Sequence, residues 1–534
     1  MRRAWIGALL LAAASPVTAQ VVERSAGDPV QTDKGRIAGK TLPSGVRAWL
    51  GVPFAAPPVR ELRWRDPQPH AAWQRVWNAD RPAPECIQPL RGRNINHYFG
   101  EEATSEDCLY LNIWTPEAPP PKGEAYPVIV WIYGGGFNLG SASMANYSGE
   151  SLARKGAIYV AVAYRLGALG FLAHPGLTAE GAGHSGNYGL KDQIAALRWI
   201  QRNIRAFGGD PGNVTIAGQS AGSMSVSLLQ ASPAASGLFH RVIGMSGSAF
   251  GPMMTPAPLG QAEEEGMALQ RALGATSVED MRDIPADRVM AAAAPLRRRP
   301  IVLDGQVLTS TPEQMFAQGR QNDVPALIGF TRDEFFRSIG PVGSVADYEA
   351  AVRAAFGEQA AILLQAYPAD TAEEARRAAR DIDRDMTLGL QMAEWAKGQG
   401  RGRSPTFAYL FARTHPYRPG VRFTDHDPAT VGAYHTADVP YWLGTLDSLN
   451  RFRVTRDWTA YDRALSSDMM DHLLAFARTG KPGAAWEKLS SGGKALMPLD
   501  EYPFSKRYGW IQDKYGVSWQ LILTAPTGED RPYI

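Results

Sequence analysis

The chain has 534 residues, 45% hydrophobic and 20% charged, a balance that excludes a disordered or collagen-like chain and allows a large buried core. Its formal net charge is +2, and removing Arg2 and Arg3 with a leader would bring the 55 basic residues to 53, equal to the 53 acidic ones. A chain this neutral does not steer a polyanion, so no nucleic-acid partner is expected.

In chain order, Arg2 and Arg3, the apolar run Ala4 to Ala14 and the small residues Val17-Thr18-Ala19 read as a secretory signal. The run is too short for about 30 Å of hydrocarbon, and no later stretch approaches a membrane span. The expectation is export, to the periplasm or the medium, with cleavage near Ala19. Residues 20–534 are then expected to form one α/β domain without an integral membrane segment. Cys86 and Cys108 are the only cysteines. In an exported chain an isolated pair reads as a disulfide closing one loop, worth roughly 3 kcal/mol by chain entropy, two free thiols being the alternative.

From Gln31 to Pro69 the sequence is strand-like and broken by turns. Val128 to Ile132 and Ala157 to Ala163 are continuous apolar runs, the mark of strands buried on both faces. Leu190 to Ile204 has helical spacing, and Phe207-Gly208-Gly209-Asp210-Pro211 stops it. A strand from Val214 then ends in Gly218-Gln219-Ser220-Ala221-Gly222, followed by helix-forming residues Ser223 to Gln230. Further strands are expected at Val242 to Met245, Val324 to Phe330 and Phe407 to Phe411, with a helix-rich insertion over about 344–400. Strands alternating with helices argue for a large, mostly parallel sheet covered on both faces.

Gly-x-Ser-x-Gly between a buried strand and a helix has the layout of a nucleophile elbow, which presents a serine hydroxyl on a strained turn above a helix N-terminus. Alone, the pentapeptide could equally be a plain loop. Serine needs a base, and His435 in Gly432-Ala433-Tyr434-His435-Thr436-Ala437-Asp438 has the most suggestive setting, a glycine-led loop past the last expected strand. His240, His415, His426 and His472 are the alternatives. An acid between Ser220 and His435 would complete the order used by α/β-hydrolases. Asp333 and Glu334 both stand just past a strand end, and spacing does not separate them. Gly134-Gly135-Gly136 follows a buried strand, where its N–H groups could approach an oxyanion together with that of Ala221.

These motifs together resemble the type-B carboxylesterase family, which includes cholinesterases, bacterial para-nitrobenzyl esterases, some fungal lipases and the non-catalytic neuroligins. The resemblance rests on Gly51 to Pro58, Glu106 to Asn112, Tyr133 to Phe137, Phe207 to Pro211, the elbow, Ile328 to Glu334 and Gly432 to Asp438. It runs from about Gln31 to beyond Gly480. It implies an α/β-hydrolase fold with helical insertions near the active-site mouth. The implied triad is Ser220 as nucleophile, Glu334 in preference to Asp333 as acid, and His435 as base. Gly135, Gly136 and Ala221 would form the oxyanion hole, Cys86–Cys108 the family's first disulfide, and Ser246 a serine near the triad acid. The implied reaction is hydrolysis of a small-molecule ester through an acyl-enzyme, with no metal or organic cofactor.

Two departures argue against a choline ester. The segment from Ile87 to Asp107 carries no tryptophan for cation–π attraction, only His97, Tyr98 and Phe99 as aromatics. Neutral Gln219 stands where cholinesterases have a glutamate beside the nucleophile. Arg297-Arg298-Arg299 precedes a segment resembling the one that shapes the acyl pocket. A basic surface loop is the plain reading of these arginines. The sharper one is that an arginine pairs with a carboxylate on the acyl group, as in family members that remove tricarballylate-like polycarboxylic acids from a mycotoxin. A lipase-like esterase on neutral acyl groups, a neuroligin-like binding protein and, less, an amidase are the competing functions. The sequence leaves the oligomeric state open.

Overall fold

The computed structural model describes residues 24–25, 29–89, 92, 94–96, 102–251, 254–296, 300–334, 339–340, 342–483, 494–502, 505–512 and 518–522. Residues 1–19, His97, Tyr98, Phe99, Arg297, Arg298 and Arg299 lie outside them.

Six strands form the parallel centre of a 13-stranded sheet: β3 (Tyr126–Ile132), β4 (Ile158–Val162), β5 (Gly209–Gln219), β6 (Arg241–Met245), β7 (Ala326–Thr331) and β8 (Thr406–Phe411). The antiparallel strands β1 (Arg47–Pro53) and β2 (Tyr110–Thr115) continue it beyond β4. The order runs β1-β2-β4-β3-β5-β6-β7-β8. The expected apolar runs sit here because both faces of the sheet are covered: every residue of β4 and β7 is buried. Helix α1 (Tyr188–Asn203) turns Leu190, Ile194, Leu197, Trp199 and Ile200 into the core, as its spacing predicts.

Two differences from the sequence reading have local causes. Strand β5 begins at Gly209 rather than Val214, because Gly209 pairs with Tyr126 across a register shift that the glycine–proline run conceals. No strand is expected beyond Phe411, yet three more (Lys494–Tyr502, Ser505–Gln512 and Ser518–Ile522) extend the sheet antiparallel past β8. The expected helical insertion is present as four helices within Val345–Gln399, joined in part by a π-helical turn at Asp385–Gly389. It has its own apolar cluster around Ile339, Tyr348, Val352 and Ile382.

Sheet register brings the carboxyl ends of the central strands level. Ile132 pairs with Gly218, Gln219 with Met245, and Met245 with Gly329. The residues just past β3, β5, β6 and β7 therefore share one rim of the sheet, the place where open α/β sheets carry ligands. Helix α2 (Ala221–Ala231) starts directly at that rim and packs back over β5 and β6.

The turn into α2 leaves no room for a side chain at Gly222, where a Cβ would overlap the Ile132 carbonyl oxygen of the neighbouring strand. A Gly222→Ala substitution should lower stability by about 1–3 kcal/mol, the usual range for overpacking. Urea denaturation of the full chain should show an earlier midpoint at unchanged m.

Candidate active site

Ser220 stands between β5 and α2 with φ 57° and ψ −124°, a conformation that L-residues adopt only when their surroundings hold them in it. Its amide donates to the Met245 carbonyl at 2.8 Å, and its carbonyl accepts from Met224 N–H at 2.9 Å. Strand β6 and the first turn of α2 thus fix the backbone and leave the side chain at the head of an 11-residue helix.

Beside it, the loop after β3 is shaped by its own carbonyls. Gly135 C=O accepts from Asn138 and Leu139 N–H, both at 3.1 Å, and Asn138 Nδ2 donates to Gly136 C=O at 2.8 Å. Among the described residues no acceptor occupies the N–H groups of Gly135, Gly136 or Ala221. Gly135 at φ +117° cannot take a side chain, because a Cβ would overlap the Leu139 carbonyl. A reciprocal pair anchors the loop from behind: Tyr133 O–H donates to Tyr164 C=O at 3.1 Å and Tyr164 O–H to Tyr133 C=O at 2.9 Å.

The structure separates the two carboxylates that spacing could not. Asp333 takes N–H bonds from Arg332 and, at 2.7 Å, from Ala433, so it ties the segment after β7 to the loop carrying His435. Glu334 is fully buried, accepts from Thr331 O–H at 2.8 Å and N–H at 3.2 Å, and lies 3.4 Å from His435 Nδ1. The other ring nitrogen of His435, Nε2, is 3.0 Å from the side-chain amide of Gln219, the residue next to Ser220. The imidazole therefore bridges a buried carboxylate and the elbow.

The remaining candidate histidines are engaged elsewhere. His240 accepts from Val214 N–H, His472 bonds to the Pro482 carbonyl, and His426 contacts Tyr417 and Asp425. His415 is buried beneath Tyr434, its Nε2 on the Ala437 carbonyl, and burial holds it well below the usual histidine range. Ser246 follows β6 at φ 54°, with its amide on the Gly329 carbonyl. Its Oγ and Glu334 Oε2 are both buried without a hydrogen-bond partner among the described residues. Cys86 and Cys108 are disulfide-bonded.

Sequence reasoning did not assign a role to Asp438, three residues past His435. It is fully buried, accepts from Tyr409 O–H at 2.7 Å, and lies within electrostatic reach of both Glu334 and His435. Burial foremost, with the Glu334 charge adding to it, pushes its carboxyl up to about 6. The one signal in the sequence was an acid in a stretch otherwise rich in Ala, Tyr and Val.

A carboxyl raised by folding favours the folded state when protonated, so this contribution is complete below about pH 4 and lost as pH rises through 6. A shift of about two units corresponds to roughly 3 kcal/mol. Asp438→Asn keeps an acceptor for Tyr409 and cannot ionise. Its stability relative to the unsubstituted protein should rise by up to that amount between pH 4 and pH 7 and stay flat below pH 4. Urea midpoints across this range test it.

Residues 27–509 match the model of the carboxylesterase family. The chain is 36% identical over 506 residues to a fumonisin B1 esterase of Sphingopyxis macrogoltabida, covering 91% of this chain and 89% of that one. It is 35% identical over 474 residues to a para-nitrobenzyl esterase of Bacillus subtilis, covering 85% and 90%. A solved PNB esterase structure superposes with a TM-score of 0.71 at 33% identity, covering 86% of this chain and 92% of the other. A family match over most of the chain joins the rim geometry above: the chain belongs to the carboxylesterase family, has the α/β-hydrolase fold, and is a carboxylic ester hydrolase.

Proposed function

We propose that this esterase works through Ser220, His435 and Glu334 by way of an acyl-enzyme. The observation that carries the reading is the His435 imidazole, held between Glu334 at 3.4 Å on Nδ1 and the elbow's Gln219 at 3.0 Å on Nε2. A carboxylate at Nδ1 favours the tautomer with its proton there, leaving the Nε2 lone pair to take a proton. Nε2 exchanges the Gln219 amide for the Ser220 hydroxyl, accepts its proton as Oγ attacks the ester carbonyl, and returns that proton to the departing alcohol. The N–H groups of Gly135, Gly136 and Ala221 receive the charge that develops on the carbonyl oxygen. Water, deprotonated by the same nitrogen, then attacks the acyl-enzyme and releases the acid.

Buried Gln219 sets the charge at this point of the site. An amide supplies no net charge to a cationic alcohol group, which supports a preference for neutral or anionic esters. For the acyl side, Arg297, Arg298 and Arg299 support a carboxylate-bearing acid, and the similarity to a fumonisin B1 esterase supports a mycotoxin-type ester as substrate. The disulfide supports export to an oxidising compartment.

Ser220→Ala should lower kcat on p-nitrophenyl acetate by 10⁴-fold or more, and Glu334→Gln by on the order of 10²- to 10⁴-fold, with folding intact by circular dichroism. Turnover by Ser220→Ala at the unsubstituted rate would overturn the assignment. Gln219→Glu should raise kcat/KM for butyrylthiocholine relative to p-nitrophenyl butyrate by about three- to tenfold, since it places a charge beside the imidazole. A panel of neutral and carboxylate-bearing esters against Arg297→Ala, Arg298→Ala and Arg299→Ala tests the acyl preference. It should fall in at least one variant, and an unchanged preference in all three refutes it.

A further inference from the structure

The glycine loop after β3 is held at three points. Its entry is Tyr133, which the reciprocal bonds with Tyr164 fix. Its crest is Phe137, whose ring packs against Phe171 and whose carbonyl accepts from Gly167 N–H at 2.7 Å. Its exit is Gly140, buried at φ +116° in a stretch that is neither helix nor strand. Here the chain is caught by a side chain 52 residues away. Gly140 N–H donates to Gln88 Oε1 at 2.7 Å, and Gln88 Nε2 donates to Gly140 C=O at 2.8 Å. One planar amide thus meets both backbone groups of one buried glycine. Gln88, itself only 8% exposed, also donates from Nε2 to the Cys86 carbonyl at 3.1 Å. The Cys86–Cys108 disulfide therefore anchors the glutamine that anchors the loop.

Gly140 bears on the chemistry because the loop closes on itself there. A Cβ on Gly140 would overlap the Gly134 carbonyl oxygen, and one on Gly135 the Leu139 carbonyl. The Gly134 carbonyl and the Gly135 N–H belong to one rigid peptide plane. Whatever fixes Gly140 against that carbonyl therefore fixes the direction in which the Gly135 N–H points, since close-packed groups pass on displacements. We propose that Gln88 is a positioning residue for the oxyanion hole: by holding Gly140 at both backbone groups it sets the peptide plane between Gly134 and Gly135. The inference rests on the reading that the Gly135 N–H receives the charge of the ester carbonyl.

Gln88→Met keeps the length of the side chain and removes both bonds to Gly140. On p-nitrophenyl butyrate it should lower kcat about ten- to hundredfold, less than outright loss of an oxyanion donor, with KM within about twofold. Rates are taken per active site titrated with diethyl p-nitrophenyl phosphate, so that a smaller folded fraction does not lower them. Gln88→Glu keeps an acceptor for the Gly140 N–H and should lose about three- to tenfold in kcat. Should Gln88→Met fail to fold by circular dichroism, Gln88→Glu decides alone. A second readout is an aryl trifluoromethyl ketone, to whose carbonyl carbon Ser220 Oγ adds while its proton passes to His435, leaving an oxyanion in the hole. Fluorine NMR of the unsubstituted protein should show this adduct, and Gln88→Met should bind the ketone about ten- to hundredfold more weakly. No adduct in the unsubstituted protein refutes the serine and oxyanion reading itself. An adduct there, with kcat and ketone affinity unchanged in the Gln88 variant that folds, overturns the role of Gln88 alone.

Discussion

The close approach of strand β3 to the turn between β5 and α2 is the constraint on which the rest of the site depends. Gly222 lies so near the Ile132 carbonyl that no Cβ fits, and the same proximity brings Gly134 against Ser220. Strained backbone at Ser220 persists because Met245 holds its amide and α2 begins at once behind it. One packing event thereby places the serine, the glycine loop and a helix N-terminus together. Relaxing any of these contacts would displace all three. A functional site on rigid strand ends tolerates variation in surrounding loops, which is consistent with similarity spread along nearly the whole chain.

Around this rim the protein places charge sparingly. Glu334 is fully buried, yet Thr331 supplies two donors and His435 lies on the same oxygen. Asp438, close by and equally buried, has one side-chain donor, Tyr409, and burial raises its carboxyl above the usual carboxylate range. Two acids that both lie near one histidine thus sit in different surroundings. Arg456 is the cationic counterpart on the far side of Tyr434, a buried charge whose described partners are all neutral.

Much of the fold was legible because it is written in short-range pattern. Continuous apolar runs at Val128 to Ile132 and Ala157 to Ala163 can be buried only within a covered parallel sheet, and the structure puts them there. The helical spacing of Leu190 to Ile204 and the polar, alanine-rich insertion were equally plain. The start of β5 was hidden by Gly209 and Pro211, whose local signal is a turn although pairing with Tyr126 draws the backbone into the sheet. Strands beyond Phe411 escaped notice because antiparallel additions need no long apolar run.

By itself the sequence determined the elbow, the glycine loop and the set of candidate acids and bases, since tight turns and oxyanion loops demand glycine at fixed spacing. Spacing could not choose between Asp333 and Glu334, adjacent residues with nearly the same chemistry, and only the family resemblance implied Glu334. Tertiary structure gives them different surroundings: the backbone after β7 sends Asp333 to the Ala433 amide and Glu334 inward to His435, more than one hundred residues away. Nor could any local pattern reveal that Gln219 meets the imidazole, that Asp438 is buried beside Glu334, or that the described partners of buried Arg456 are neutral. Those are facts about which charges share a low-dielectric interior, and only packing brings such residues together.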